Sequence, residues 1–482
     1  MEPQPARSLM QDNRILLILV FIILVLFSIG NLPWQLDDYD QAKQAFTSFQ
    51  MVNEGKWLYQ NTPRSAVATK PPLVGWASAA LFTMTRSWEL AWRLPSLLAA
   101  IAILVLLFRS SRSAYGQVAG LVAVSAFGLN LLSPRLATLV RTDMPLALVI
   151  FVVGVLIWNK IRKNEPWQPN DRLVMFAWLT AGMLIKGPVI WAFLLPGIVA
   201  YEWWRRRSGV SAFCGVWPWI ASLGIFLVWA IAGIRFVPGF YDQVVLREFL
   251  GRFGGEVHRA QPLLFYIPHL LQKFAPWSLA VIGLGIVSLR RAGWRRDNMK
   301  VSRETVWLIC WILGGIVVMS LLPSKRVDRV FPVIAPLCLL LGVQIRSFVV
   351  DKHQRWLLGV MAFAVLFAGG YVGWKISSGY RDHRNALVDF GREVRRDAAA
   401  NHWRYAAIAS RDEGMLLYLR QIAFTPSSRA VADWNAGNID ALVLSVDDEP
   451  GLTPQLQPPP VIVKRSAARP ERGSYLLVMR PR

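Results

Sequence analysis

The 482-residue sequence predicts a polytopic α-helical membrane protein with about eleven transmembrane helices, outer juxtamembrane helices and a small C-terminal α/β domain. Three observations lead there. Hydrophobic residues make up 54% of the chain and charged residues only 17%, a balance that suits membrane residence better than a soluble chain of this length. Apolar runs long enough for a bilayer recur throughout the first three quarters of the chain. The basic clusters between those runs fall in alternate loops, the distribution of cytoplasmic loops under the positive-inside rule.

The apolar runs lie near 13–32, 94–109, 116–134, 143–159, 172–185, 188–204, 213–233, 263–289, 304–322, 327–346 and 355–376. The first, "RILLILVFIILVLFSIG", has no charge after Arg14 and no clear small-residue cleavage site follows it, so it reads as a retained anchor. With an inside N-terminus, "RSSRSAYG" (109–116), "NKIRKNEPWQPNDR" (159–172), "WWRRRSG" (203–209) and "RRAGWRRDNMKVSR" (290–303) are all cytoplasmic. The formal net charge of +23 is therefore spread over loops, whereas a nucleic-acid surface needs a basic face on a soluble domain. No nucleic-acid partner is expected. Cys214, Cys310 and Cys338 sit in apolar spans at spacings that match no metal or redox motif.

The outside then receives 33–93, the turns near 135–142, 186–187 and 323–326, the segment 234–262 and the C-terminal tail. The first outer loop is too long for a connector. In "DDYDQAKQAFTSFQMVNEGKW", Ala42, Ala45, Phe46, Phe49 and Met51 recur near helical spacing and Gly55 supplies a stop, which suits a helix lying on the membrane surface. "PPLVGWASAALFTMT" (71–85) reads as a second helix opened by prolines. Residues 1–376 are thus expected to form the transmembrane domain. Residues 377–482 change character: "NALVDFGREVRRDAAA" and "DEGMLLYLR" read as helices, "YAAIAS", "IDALVLSV" and "YLLVMR" as strands, and "TPQLQPPP" as a loop.

The outer turns concentrate a few ionisable residues. Asp37, Asp38, Asp40 and Asp143 are the carboxylates, and Lys70, Arg93, Arg141, Lys186, Lys325 and Arg326 are the cations. Any one of these lysines or arginines alone reads as an interfacial anchor. As a set they run against the positive-inside bias, and such a set needs a partner. Phosphate fits best, in a basic cavity at the bilayer surface with acids available for proton abstraction.

The phrases "ATKPPLVGW", "AWRLPS" (91–96), "RTDMPLAL" (141–148), "LIKGP" (184–188), "HRAQPLLFYIPHLLQKFAPW" (258–277) and "PSKRVDRVFPVIAPL" (323–337) occur in an order that resembles the GT-C membrane glycosyltransferases. These include the protein O-mannosyltransferases and the lipid A aminoarabinose transferases, and the resemblance covers about 31–345. Counting from Asp40 reaches Ala45, Met51, Trp57 and Lys70-Pro71-Pro72 without a gap. The resemblance therefore implies Asp40 as the catalytic acid, with Asp143 as its partner or a positioning residue. It implies Lys70, Lys186, Lys325, Arg326, Arg93 and Arg141 as ligands of a lipid phosphate. Two positions depart from the family: Gln41 replaces the glutamate of an Asp-Glu pair, and Thr69 replaces an acid linked to a metal in some relatives. No metal site is predicted, although His258 is present and a divalent metal is left open.

The implied function is transfer of a sugar from a polyprenyl-phosphate (undecaprenyl-phosphate) donor to lipid A, another envelope glycolipid or a protein hydroxyl, with inversion. The protein would be multi-pass in the inner membrane, its active site and C-terminal domain facing the periplasm. A polyprenol-phosphate or lipid transporter is the alternative, and a membrane scaffold a further one. A transporter would tend to show internal repeats and broken helices, which the sequence does not display.

Overall fold

The structure is a computed structural model, and it describes residues 13–36, 39–206, 208–251, 261–291, 301–346, 354–408, 412–467 and 474–481. Its helices in chain order are α1 (Asn13–Ile29), α2 (Tyr39–Glu54), α3 (Leu73–Thr85), α4 (Trp88–Ala91), α5 (Leu94–Tyr115), α6 (Gln117–Gly128), α7 (Ser133–Ala137), α8 (Asp143–Lys163), α9 (Pro169–Lys186), α10 (Val189–Arg205) and α11 (Trp217–Phe236). After a π-helical stretch at Tyr241–Leu250 come α12 (Tyr266–Lys273), α13 (Trp277–Arg291), α14 (Arg303–Leu321), α15 (Ile334–Arg346) and α16 (Gln354–Arg381). The C-terminal helices are α17 (Ala386–Asn401), α18 (Gly414–Tyr418), α19 (Ser427–Asn435) and α20 (Glu449–Leu452). The chain divides into two compact units, one within 1–30, 69–74 and 93–372, the other within 31–68, 75–92 and 373–482.

Each apolar run of the sequence meets a helix. Among the described residues six helices are long and apolar enough to cross a membrane, or seven if the bent pair at 263–287 counts as one span. Two of the eleven runs are interrupted. The run at 116–134 forms the twelve-residue α6, which at 1.5 Å per residue reaches only about 18 Å. It stops at Asn130, whose amide donates to Ala126 and Phe127 and whose Oδ1 accepts from the N–H groups of Leu132 and Ser133. This buried side chain closes one helix and opens α7. The run at 263–289 bends by 105° around Phe274–Pro276, where proline has no N–H to continue the ladder. The broken helix that the sequence did not display is therefore present.

In the first unit α8 is the central helix, buried along most of its length. At 21 residues it is about 30 Å long, a bilayer's hydrocarbon depth. Close approach, more than bulk apolarity, holds such helices together in lipid. A Cβ on Gly154 would fall 2.0 Å from the Trp311 ring, and one on Gly197 would fall 2.7 Å from the Trp311 Cα. These glycines let α14 lie against α8 and α10. Trp307 donates its indole N–H to the Gly154 carbonyl at 3.1 Å, so a buried polar group in the seam is satisfied.

α8 and α9 are clasped at both ends by ion pairs. Lys186 meets Asp143 at 2.6 Å where α8 begins and α9 ends, and Lys160 meets Asp171 at 2.6 Å where α8 ends and α9 begins. The helices are therefore antiparallel neighbours, and the short connection 164–168 carries the turn through Asn164 in a left-handed conformation.

The second unit holds a four-stranded sheet built from β1 (Tyr405–Ala407), β2 (Ala441–Ser445), β3 (Val461–Arg465) and β4 (Tyr475–Met479), in the order β1-β2-β4-β3. β1 is parallel to β2, and β4 is antiparallel to both β2 and β3. β2 and β4 read as unbroken apolar runs because both are interior strands, and Leu442 and Leu444 face Val478 and Leu476 in register. Trp434 of α19 is fully buried against this sheet and donates to the Pro458 carbonyl at 3.0 Å.

In the same unit α2 departs from the surface helix the sequence suggested. Its buried residues include Gln41, Gln44, Thr47, Ser48 and Gln50 as well as the apolar ones. The polar face is covered by protein: Ser48 accepts from the Trp92 indole at 3.1 Å, Gln50 accepts from the Asn61 N–H at 2.7 Å, and α18 packs alongside. Gly55, at φ +68°, ends the helix as expected.

Candidate active site

One end of the first unit gathers the predicted cations. Lys186 is the last residue of α9, carried there because Gly187, at φ +67°, and Pro188 stop the helix. Its ammonium donates to Asp143 Oδ1 at 2.6 Å, with the two side chains only 15% and 11% exposed. Lys70 and Arg141 lie near enough for their charges to act on the same carboxylate.

Arg141 and Asp143 are opposite charges two apart in the sequence. The structure pairs Arg141 with Asp328 instead, Nη1 to Oδ2 at 2.9 Å, and Arg135 approaches the other oxygen at 3.7 Å. Residues two apart at a helix start do not face each other, so Arg141 and Asp143 diverge to different partners. Asp328 is the functional candidate that sequence reasoning passed over. Its signal was an acid inside the basic phrase "PSKRVDRVFP".

Lys325 is 7% exposed and donates to the Gln261 carbonyl at 2.9 Å. Arg326 follows it at the start of the 3-10 turn Val327–Val333, which leads into α15. Arg93, 3% exposed, caps the start of α5, one turn before Ser96. Ser96 donates to the Leu139 carbonyl at 2.8 Å and so ties the α5 start to the loop carrying Arg141. Among the described residues Arg135 and Arg141 thus meet Asp328, Lys186 meets Asp143, and the charges of Lys70 and Arg141 act on Asp143 as well. Burying such charge is costly unless it is paired. A cluster this rich in lysine and arginine suits a bound anion.

Asp40 belongs to the second unit, where it is half-buried in the first turn of α2. A carboxylate there also complements the helix dipole. Asp37, Asp38 and His258 lie outside the described residues. Among the described residues no group of three or more His, Cys, Asp and Glu side chains is arranged to hold a metal ion.

Residues 69–233 match the family described as dolichyl-phosphate-mannose-protein mannosyltransferase. The chain is 25% identical over 347 residues to undecaprenyl phosphate-alpha-4-amino-4-deoxy-L-arabinose arabinosyl transferase 1 of Sodalis glossinidius, covering 69% of this chain and 56% of the relative. It is 26% identical over 371 residues to the corresponding transferase of Aeromonas salmonicida, covering 72% and 64%. The chain thus spans less than two thirds of the length of these relatives. In three dimensions it superposes on ArnT from Cupriavidus metallidurans, solved with undecaprenyl phosphate, with a TM-score of 0.72 at 18% identity, covering 97% of this chain and 98% of that one. The apo form of the same protein matches with a TM-score of 0.62. The chain has the GT-C fold, in a multi-pass inner-membrane protein similar along most of its length to polyprenyl-phosphate-dependent glycosyltransferases.

Proposed function

We propose that the chain is an integral membrane glycosyltransferase that moves a sugar from a polyprenyl-phosphate donor to an acceptor on the outer face of the inner membrane. The observation that carries this reading is the cluster of lysines and arginines around Asp143 and Asp328 at one end of the first unit. Likeness to arabinosyl transferases named for an undecaprenyl-phosphate sugar adds to it. The acceptor would be lipid A, another envelope glycolipid or a protein hydroxyl.

A sugar on polyprenyl phosphate is already activated, so the protein has two tasks. It stabilises the departing phosphate, and it takes the acceptor's proton. Lys70 is the first candidate for the phosphate, followed by Lys186, Lys325 and Arg326, with Arg93 and Arg141 contributing to the positive field. Asp143, paired with Lys186, orients that ammonium and is a poor base while the pair holds. Asp40 is the proposed general base. The acceptor oxygen attacks the anomeric carbon as the carbon–oxygen bond to phosphate breaks. The electron pair leaves with polyprenyl phosphate, the proton passes to Asp40, and the anomeric configuration inverts.

Among the described residues the bent pair α12–α13 favours a transporter, since broken helices recur in transporters. Purified chain given a synthetic polyprenyl-phosphate sugar and an acceptor separates the readings. Transfer of the sugar, with inverted product, is expected. Movement of the donor across a vesicle membrane without transfer would sink the proposal.

A further inference from the structure

The second unit carries a groove that the proposed bond-making step does not use. Its floor is aromatic. The rings of Phe82 and Trp88 stack 3.9 Å apart, Trp92 continues the stack at 5.3 Å, and Phe49 meets Trp88 edge-on at 5.3 Å. Its rim is basic, formed by Arg86, Arg395 and Arg420 beside Glu89. Arg420 is committed to the fold: it donates to Glu89 at 2.8 Å and lies over the Trp92 ring at 5.1 Å. Arg86 and Arg395 are not. No described residue hydrogen-bonds or ion-pairs with either guanidinium, and the Nε of Arg395 is buried.

The electrostatics follow from this crowding. Burial alone would raise the Glu89 carboxyl, but the charges of Arg420, Arg392 and Arg395 hold it below its ordinary value. Burial pushes the Arg420 guanidinium down to about 10, against the pull of Glu89, and the neighbouring arginines add to the drop. One carboxylate is shared among several guanidinium groups, so positive charge is left over. The backbone is unusual at the same place. Arg86 closes α3 at φ 52° and Arg420 follows α18 at φ 57°, left-handed positions where glycine or asparagine is normal. Arginine in a conformation that disfavours it points to work for the side chain.

We propose that this groove binds an anionic saccharide, with the sugar ring against the half-exposed Phe82 and a phosphate or carboxylate held by Arg86 and Arg395. Arginine offers paired donors that match the oxygens of such a group, and a flat aromatic patch accepts the apolar face of a ring. Assigning the saccharide as the headgroup of the acceptor rests on the proposed transfer reaction. The binding chemistry does not.

The test measures binding directly, on the full chain in detergent, apart from turnover. Glucosamine 1-phosphate and glucosamine are the soluble probes, and lipid A with and without its phosphates is the lipid-borne pair. The phosphorylated form of at least one pair is expected to bind better. Arg86→Gln with Arg395→Gln should weaken that binding about tenfold or more while leaving the melting temperature in place, because neither side chain supports the fold. Binding of phosphorylated lipid A but not the soluble sugar assigns a membrane-borne ligand, and binding of both assigns a free or lipid-linked glycan. Equal affinity for phosphorylated and unphosphorylated forms, or full affinity in the double variant, overturns the proposal. If the wild-type chain binds the phosphorylated probe but transfers no sugar, the groove stands and the transferase reading falls. If transfer occurs, the double variant should raise the acceptor KM with kcat unchanged, and an unchanged KM removes the acceptor assignment.

Discussion

The two clasps of α8 and α9 offer a controlled comparison inside one protein. Both join a lysine to an aspartate at 2.6 Å, and they differ in burial. The lysines are equally buried, Lys186 at 15% and Lys160 at 14% exposed, but Asp143 is 11% exposed whereas Asp171 is 28% exposed and also accepts from the Gln168 backbone. Removing one partner of a buried pair leaves a charge short of its nearest counterion and typically costs about 3–5 kcal/mol. Removing one partner of a solvated pair costs about 0–1 kcal/mol. Lys186→Met is therefore expected to lower the melting temperature far more than Lys160→Met. Adding Asp143→Asn to Lys186→Met should restore most of the loss, since no bare carboxylate remains and the coupling of a double-mutant cycle is then large. Thermal unfolding in detergent, followed by tryptophan fluorescence, reads all four proteins. Equal melting of the two single variants would refute the argument. It would mean that the Asp143 carboxylate is solvated, or held by other cations well enough that Lys186 is dispensable.

Other expectations follow from the same geometry. Asp40→Asn keeps the side chain's shape and removes its basicity, so turnover should fall on the order of a hundred- to ten-thousand-fold with donor binding retained; turnover near wild type would move the catalytic assignment elsewhere. Lys70→Met should weaken binding of the polyprenyl-phosphate donor, with only partial rescue by Lys70→Arg because the two cations differ in shape and hydration. Donor titration checks this, and unchanged affinity would return Lys70 to the role of an interfacial anchor. Reporter fusions near residues 60 and 430 should report outside, and those near 112 and 206 inside; 60 and 206 on one side would break the topology. Gly197→Val would drive side-chain carbon into the backbone at Trp311, where even a Cβ has only 2.7 Å, and should reduce the yield of folded protein. Gly283→Ala meets nothing within 4 Å and serves as the control.

What the sequence made legible, and what it hid, divides along physical lines. Helix-forming runs were readable because lipid demands long apolar stretches and the loops advertise their side by charge. The breaks were hidden where a single buried polar group does the work, as Asn130 does by satisfying two carbonyls and two N–H groups at once. Among the strands, Val461–Arg465 escaped notice because it is an edge strand. It follows "QPPP", it is largely exposed, and it ends in Lys464 and Arg465, the composition that protects an edge from further pairing. The helix Ser427–Asn435 escaped for a related reason, since only Ala430 and Trp434 turn inward.

The cations of the candidate site were visible for the opposite reason. On the expected topology these lysines and arginines run against the positive-inside bias, so their presence needs another cause. Their partners were not visible, because Arg141 and Asp328 are 187 residues apart and Asp143 and Lys186 are 43 apart. Nothing local distinguishes Asp328 from an ordinary acid in a basic turn. The choice of Asp328 over Asp143 as the partner of Arg141 is made by packing: the 3-10 turn Val327–Val333 lies against α8, and successive charged residues at the α8 start point to different neighbours. Residue type at a helix end thus announces that an anion is wanted, while helix packing decides which acid each cation meets. Arg141 is held by Asp328 and Lys186 by Asp143, so on the proposed reading Lys70 is the cation whose removal should be felt first by the donor.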